Sequence, residues 1–290
     1  DMSSSIFDVW NCSEEDVTSV WVYVEGEVEV YFEDGEGDKC SITDDVWVSP
    51  DGNDYENEGT SPNDAFLTIK TALELIGPSY ENIITINLTA GMFSPDSTGE
   101  EFPIILLSNV NLVGQSPASS ILYAHQINGV VDLSYKYNVQ LSNITLSGGA
   151  TRNGEDGGGI YCNGSYAALD HVVITDNTSS DKGGGIYIYS SNIDMQHVTI
   201  TENLAASSGD GIYASLYSTL NINNSIIWNN DIAEIFIYTI IEISYSDIQG
   251  GYSGPGNISI DPLFLAPENG DFSLSWLNYP VEDLTKSPCI

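Results

Sequence analysis

The chain has 290 residues, 41% of them hydrophobic, which suffices for one long domain or for a domain with a small appendage. Its 42 Asp plus Glu against 6 Lys plus Arg give a net charge of -36, which repels phosphate backbones and anionic headgroups within a Debye length and makes nucleic acid and membrane surfaces poor partners. No apolar run approaches the roughly 20 residues that span a bilayer, so membrane insertion is not expected.

Residues 1–44 differ in pattern from the rest of the chain. Thr18-Ser19-Val20-Trp21-Val22-Tyr23-Val24-Glu25 and Glu27-Val28-Glu29-Val30-Tyr31-Phe32 alternate around Gly26 and read as a β-hairpin, aromatic and aliphatic on one face and acidic on the other. Such a unit would cap a neighbouring structure or pair with another molecule, and Cys12 and Cys40 bracket it as the natural disulfide pair. Next, Asp51, Asn53, Asp54, Glu56 and Glu58 crowd oxygen ligands around Gly52, a set chemically suited to calcium, although the spacing departs from the EF-hand loop and a solvated loop is the alternative. Ser61-Pro62-Asn63-Asp64 starts, and Gly77-Pro78 ends, an amphipathic helix over residues 64–76. Short β-rich runs come after it over 83–91, 102–114, 130–133 and 139–146.

From there the sequence repeats. Gly157-Gly158-Gly159-Ile160-Tyr161 returns as Gly183-Gly184-Gly185-Ile186-Tyr187 and, in decayed form, as Gly209-Asp210-Gly211-Ile212-Tyr213, at a spacing of 26 residues. Each copy is followed by a second matched block, ending at Asn177, Asn203 and Asn230, the last shifted by one inserted residue. Alternating runs separated by Gly, Asn, Asp and Ser make each repeat a set of strands joined by turns, one coil of a solenoid that buries its apolar face only by stacking. Ile160, Ile186 and Ile212 are expected to point inward with Cys162, Ile188 and Ala214 two residues on, which makes Cys162 a buried thiol. Asn177, Asn203 and Asn230 fall at one turn, where amides can bond along coils about 4.8 Å apart. Tyr161, Tyr187 and Tyr213 should stack on the outer face, either as glycan contacts or as a cross-coil stabiliser. His171 and His197 are also stacked equivalents, a metal pair or simply polar turn residues, since Asn143 and Asn224 take the same position.

Val46-Trp47-Val48-Ser49-Pro50-Asp51-Gly52-Asn53-Asp54, the helix after it, and the runs over 83–91 and 102–114 make residues 45–290 resemble secreted right-handed parallel β-helix proteins of the pectate-lyase-like superfamily, of the bacterial surface-protein type. The resemblance implies an all-β, right-handed parallel β-helix with three strands per coil, the helix near 64–76 plugging the first coil, and coils continuing through 234–248 and 258–274. Ser287-Pro288-Cys289-Ile290 is similar to a segment after which such surface proteins usually continue, often into a sorting domain. A start at Asp1, without initiator Met or signal peptide, fits a processed and exported chain, so an extracellular or cell-surface location is expected.

This architecture often hosts polysaccharide lyases and hydrolases, so the chemistry has to be sought in residues. A lyase needs a cationic base; Arg152 is the single arginine, and Arg152 and Lys182 both sit in loops entering the Gly-rich turns. A glycoside hydrolase needs two carboxylates roughly 5 to 10 Å apart, and Asp176 and Glu202 are equivalents on adjacent coils. Arg152, Asp176, Lys182 and Glu202 therefore mark where catalysis would lie. Without a convergent catalytic group, the leading expectation is a non-catalytic structural or adhesive module, a filament or surface-layer subunit whose partner is another copy of itself or a surface glycan. The alternatives are an extracellular polysaccharide lyase or glycoside hydrolase, and a carbohydrate-binding module using Tyr161, Tyr187 and Tyr213.

Overall fold

The computed structural model describes residues 41–235 and 238–290. The hairpin read over residues 18–32, with Cys12 and Cys40, lies outside the described residues.

One repeat folds as three short strands, for example Ile186–Tyr189, Asn192–Gln196 and Thr199–Thr201. Alternation sends Ile186, Ile188, Ile193, Met195 and Ile200 into the core and leaves Asp194 and Gln196 exposed. Every strand pairs in parallel with its copies one coil before and after: Ile186 with Ile160 and Ile212, Asn192 with Tyr166 and Thr219, Thr199 with Val173 and Ile226. Parallel strands joined by such crossovers wind right-handed, and the chain is a right-handed parallel β-helix. Stacked coils build continuous apolar columns, such as Leu141, Leu169, Met195, Ile222 and Ile243, all buried. Burying each such side chain contributes about 1.5 to 3 kcal/mol. Cys162 occupies one of these inward positions as a free thiol, and burial pushes its pKa up to about 11.

The corners carry the polar order. Between second and third strands the chain bends at a single left-handed residue: Asn143 (φ 55°), His171 (52°), His197 (53°) and Asn224 (50°), types that tolerate this region. At the turn after the third strand, Asn177 Nδ2 donates to Asn203 Oδ1 at 3.0 Å, and Asn203 Nδ2 to Asn230 Oδ1 at 3.0 Å. Buried serines make two further ladders. Ser165 N donates to Ser191 Oγ at 2.9 Å, and past the left-handed bend Val198 N donates to Ser225 Oγ and Ser225 N to Ser246 Oγ, each at 3.1 Å. These bonds also measure the coil length: the rung from Asn177 to Asn203 spans 26 residues, that from Val198 to Ser225 spans 27, and that from Ser225 to Ser246 spans only 21. The last coil is cut short.

Both ends are covered. At the start, the helix is Ile69–Leu75, shorter than the expected 64–76, and Pro62–Asp64 is a separate 3-10 turn. Thr68 is the N-cap, its Oγ1 accepting from Thr71 N at 3.1 Å. The intervening chain stays extended because the Asp54 carboxylate accepts from Leu67 N (2.7 Å), Thr68 N (3.0 Å) and Thr68 Oγ1 (2.9 Å). Ile42 pairs with Ile76, so residues just before 45 already join this first coil.

Glu100, only 2% exposed, reaches the helix N-terminus and accepts from Ile69 N (2.7 Å) and Lys70 N (3.1 Å). Burial outweighs those bonds and pushes its carboxyl from 4.5 up to about 7. The folded state thus holds a proton that the unfolded chain releases between pH 4.5 and about 7, and stability falls as pH rises through that window. Chemical denaturation at both ends of the window should show wild type losing on the order of 3 kcal/mol more than Glu100→Gln, which carries no such proton. Equal losses in both proteins would place the pH dependence elsewhere.

At the far end the expected coil over 258–274 is absent. The parallel ladder stops at the bridge between Asp247 and Ile258, and Phe264–Ala266 pairs antiparallel with Asp271–Leu274. Pro267–Asn269 forms a 3-10 turn and Gly270 (φ 75°) turns the chain back on itself. The C-terminal segment returns to the last coil, where the Cys289 thiol donates to Asp247 Oδ2 at 3.2 Å; burial, with Asp247 beside it, pushes that thiol up to about 12. Among the described residues no helix is long and apolar enough to cross a membrane.

Candidate functional site

The outer face of the six-stranded sheet holds one side chain per coil in register: Ile105, Asp132, Tyr161, Tyr187 and Tyr213. Tyr161 and Tyr187 stack at 5.3 Å with planes 6° apart, and Tyr187 and Tyr213 at 5.4 Å and 3°. Tyr187 is therefore covered on both faces. Tyr213 is 6% exposed and carries the Lys182 ammonium 5.6 Å from its ring centre. The stack ends at Tyr161, because the preceding coil supplies Asp132 at the same register position.

Beyond that last ring lies a groove of about 450 Å³ lined by Tyr161 and by the polar side chains of Asn128, Asp132, Thr151, Glu155 and Asp156. Asp156 is half-buried and accepts from Lys182 N at 2.9 Å. Burial raises its carboxyl above the ordinary range despite that bond. Asp132 Oδ1 accepts from Ser134 N at 2.7 Å. Burial, with Asp156 and Asp132 nearby, raises the Tyr161 phenol and keeps it a neutral hydroxyl donor; burial and Asp156 do the same to Tyr187. The result is one aromatic face flanked by carboxylates in two different environments, the elements with which a shallow site holds a sugar: ring stacking below and acceptors for hydroxyl groups around it.

The residues singled out for catalysis make other contacts, although Arg152 follows groove-lining Thr151 and Lys182 N donates to Asp156. Lys182 Nζ is 2.7 Å from Asp181 Oδ2, a bond that raises the lysine and lowers the aspartate. Arg152 is exposed and donates to Gln126 O at 3.4 Å. Asp176 and Glu202 are exposed residues in the left-handed region (φ 54° and 55°), each just before a ladder asparagine. None of the four lines the groove. In the acidic loop, Asn53 Oδ1 accepts from Tyr55 N (2.9 Å) and Glu56 N (3.2 Å), while Asp54 holds residues 67 and 68. No three of Asp51, Asp54, Glu56 and Glu58 bring carboxylate oxygens within 4.8 Å of one another. Among the acids of that loop, Asp54 is the one whose carboxylate holds the chain around it. Among the described residues, the three side chains that do converge in this way are Asp170, His171 and His197.

Asp132 is the residue of the groove hardest to find by pattern. Asp132 precedes the regular repeats, where a coil rung spans 29 residues, as between Lys136 N and Ser165 Oγ. Aligning Val131-Asp132-Leu133-Ser134 with Ile160-Tyr161-Cys162-Asn163 is the signal that places it.

Two solved structures illustrate what the chain is similar to. One is a pectin methylesterase in complex with a hexasaccharide, 12% identical, TM-score 0.43, covering 76% of this chain and 68% of that one. The other is pectin methylesterase PemA from Erwinia chrysanthemi, 11% identical, TM-score 0.41, covering 81% of this chain and 99% of that one. No curated protein matches the chain. Residues 50–252, which include every regular coil and the groove, match the family described as "Protein of unknown function (DUF1565)", and the chain belongs to that family.

Proposed function

We propose that the chain is an extracellular, surface-displayed adhesive module that binds neutral glycans in the groove at the open end of the tyrosine stack. The observation that carries this reading is the change from Tyr161 to Asp132 along one register column, which frees a single aromatic face beside Asp132 and Asp156. The net charge of -36 favours neutral over uronic sugars. No Lys or Arg lines the groove, which counts against a lyase. Self-assembly through the N-terminal hairpin is a separate expectation that rests on residues outside the described ones.

Titration calorimetry with neutral and uronic oligosaccharides, each with and without calcium, tests the reading. Neutral sugars should bind, and Tyr161→Ala and Asp156→Asn should each weaken them about tenfold. Equal affinity of both variants and wild type would remove the groove from the account. The calcium arm reports whether the loop over residues 51–58 contributes at all. A second reading has one observation in its favour: half-buried Asp156 shares the groove with a second carboxylate, Asp132, and a glycoside hydrolase works with two carboxylates. Release of reducing ends from a bound oligosaccharide, lost in Asp156→Asn, would make that the function.

A further inference from the structure

Away from the groove, at the left-handed bend between second and third strands, His171 and His197 sit one coil apart with ring centres 4.4 Å from each other. Both direct Nδ1 at the same atom: Asp170 Oδ1 lies 2.8 Å from His171 Nδ1 and 3.2 Å from His197 Nδ1. All three side chains are accessible, with 40 to 52% of their surface exposed. The bend itself does not call for imidazole. Asn143 and Asn224 make the same bend on the flanking coils with φ of 55° and 50°, and asparagine is at home in that conformation. Two of the chain's 3 histidines thus stand on adjacent coils around one carboxylate oxygen, for a reason the backbone does not supply.

We propose that Asp170, His171 and His197 form a binding site for a transition-metal dication of the zinc type. Without metal, two ring N–H groups converge on one carboxylate oxygen. A dication placed between them takes the lone pairs of both Nδ1 atoms, each neutral ring then carrying its one N–H on Nε2, and keeps the carboxylate oxygen as the third ligand. Two imidazoles and a carboxylate are the donor set of zinc and its late first-row neighbours, whereas calcium and magnesium take oxygen ligands. Three protein ligands leave coordination positions open. The two histidines border a hollow of about 670 Å³, also lined by Thr199, Tyr245 and Ser246, with room for water or a small anion at those positions. The strongly negative chain raises the local concentration of any dication, so the test must separate this site from loose adsorption.

The experiment is calorimetric titration of the chain with Zn²⁺ in a millimolar background of Ca²⁺ and Mg²⁺, which occupies the general acidic surface. The expected result is one Zn²⁺ per chain. His171→Asn and His197→Asn preserve the bend, as Asn143 and Asn224 do, and each should weaken binding at least about tenfold; the double variant should abolish it, with unchanged circular dichroism. Absence of stoichiometric binding overturns the proposal. So does Zn²⁺ uptake that persists in the double variant or disappears when the background cations are added.

Discussion

Asn203→Ala is expected to lower the unfolding free energy by about 4 kcal/mol, more than any surface substitution on the same coil. Asn203 is the central rung of the amide ladder and is 5% exposed. Its Oδ1 accepts from Asn177 N (3.1 Å) and Asn177 Nδ2 (3.0 Å), and its Nδ2 donates to Ile174 O (2.9 Å), Thr201 O (2.9 Å) and Asn230 Oδ1 (3.0 Å). Truncation strands several buried partners at once, each costing about 1 to 3 kcal/mol when left unmade, and leaves a void in their midst. Asn203→Asp should do no better, because it keeps acceptors but presents oxygen to the Ile174 and Thr201 carbonyls. The comparison is Gln196→Ala on the exposed face of Asn192–Gln196, the second strand of the same coil, expected within about 0.5 kcal/mol of wild type. Denaturant unfolding of the three variants decides between these outcomes. A loss below about 1 kcal/mol for Asn203→Ala would mean that water takes over the ladder's bonds.

The second large effect is expected from one methyl group. At Gly184 a Cβ would stand 2.5 Å from Asp210 O and 2.5 Å from Leu204 C and O. All three are backbone atoms of the next coil, so relief requires the coils to part. Gly184→Ala should cost about 3 kcal/mol or more, or prevent the stack from closing. The same position one repeat later is occupied by Asp210, and the shortened last coil explains why. There the 26-residue register ends, and the Asp210 carboxylate turns aside to accept from Ala205 N at 2.8 Å. Asp210→Ala is therefore expected to be mild, and calorimetric melting of the two alanine variants side by side should separate them by several degrees or more. Equal melting temperatures would show that close coil approach at Gly184 is dispensable.

The solenoid is legible in the sequence because its causes repeat. An inward isoleucine, a glycine where backbones nearly touch and an amide at one corner recur every 26 residues, and each copy reports the same environment. Features that stay hidden either occur once or carry no period. Asp54 and Glu100 fix the helix start from 14 and 31 residues away, so the local signal at residues 61–64 points to the wrong boundary. Ser191 and Ser225 form buried ladders, yet serine is so common in this chain that two aligned copies do not stand out. The terminal hairpin reads as a coil because alternation records which face a side chain occupies and says nothing about strand direction. The groove escapes a search for repeats because it exists where the tyrosine column stops, and such a search tracks only continuation.

The covered ends have a further consequence for how such a chain changes length. With a helix packed into the first coil and an antiparallel hairpin following the last, a unit inserted between them fits the stack only as a whole coil. A duplicated unit of residues 183–208 would meet its neighbours with the same glycine contact, amide rung and isoleucine column, and would add about 4.8 Å of height. It would also add one tyrosine behind Tyr161 while leaving the groove in front of that ring unchanged. Length and groove are thereby separable in this architecture: the number of coils behind Tyr161 can change in fixed steps without touching the residues that line the groove.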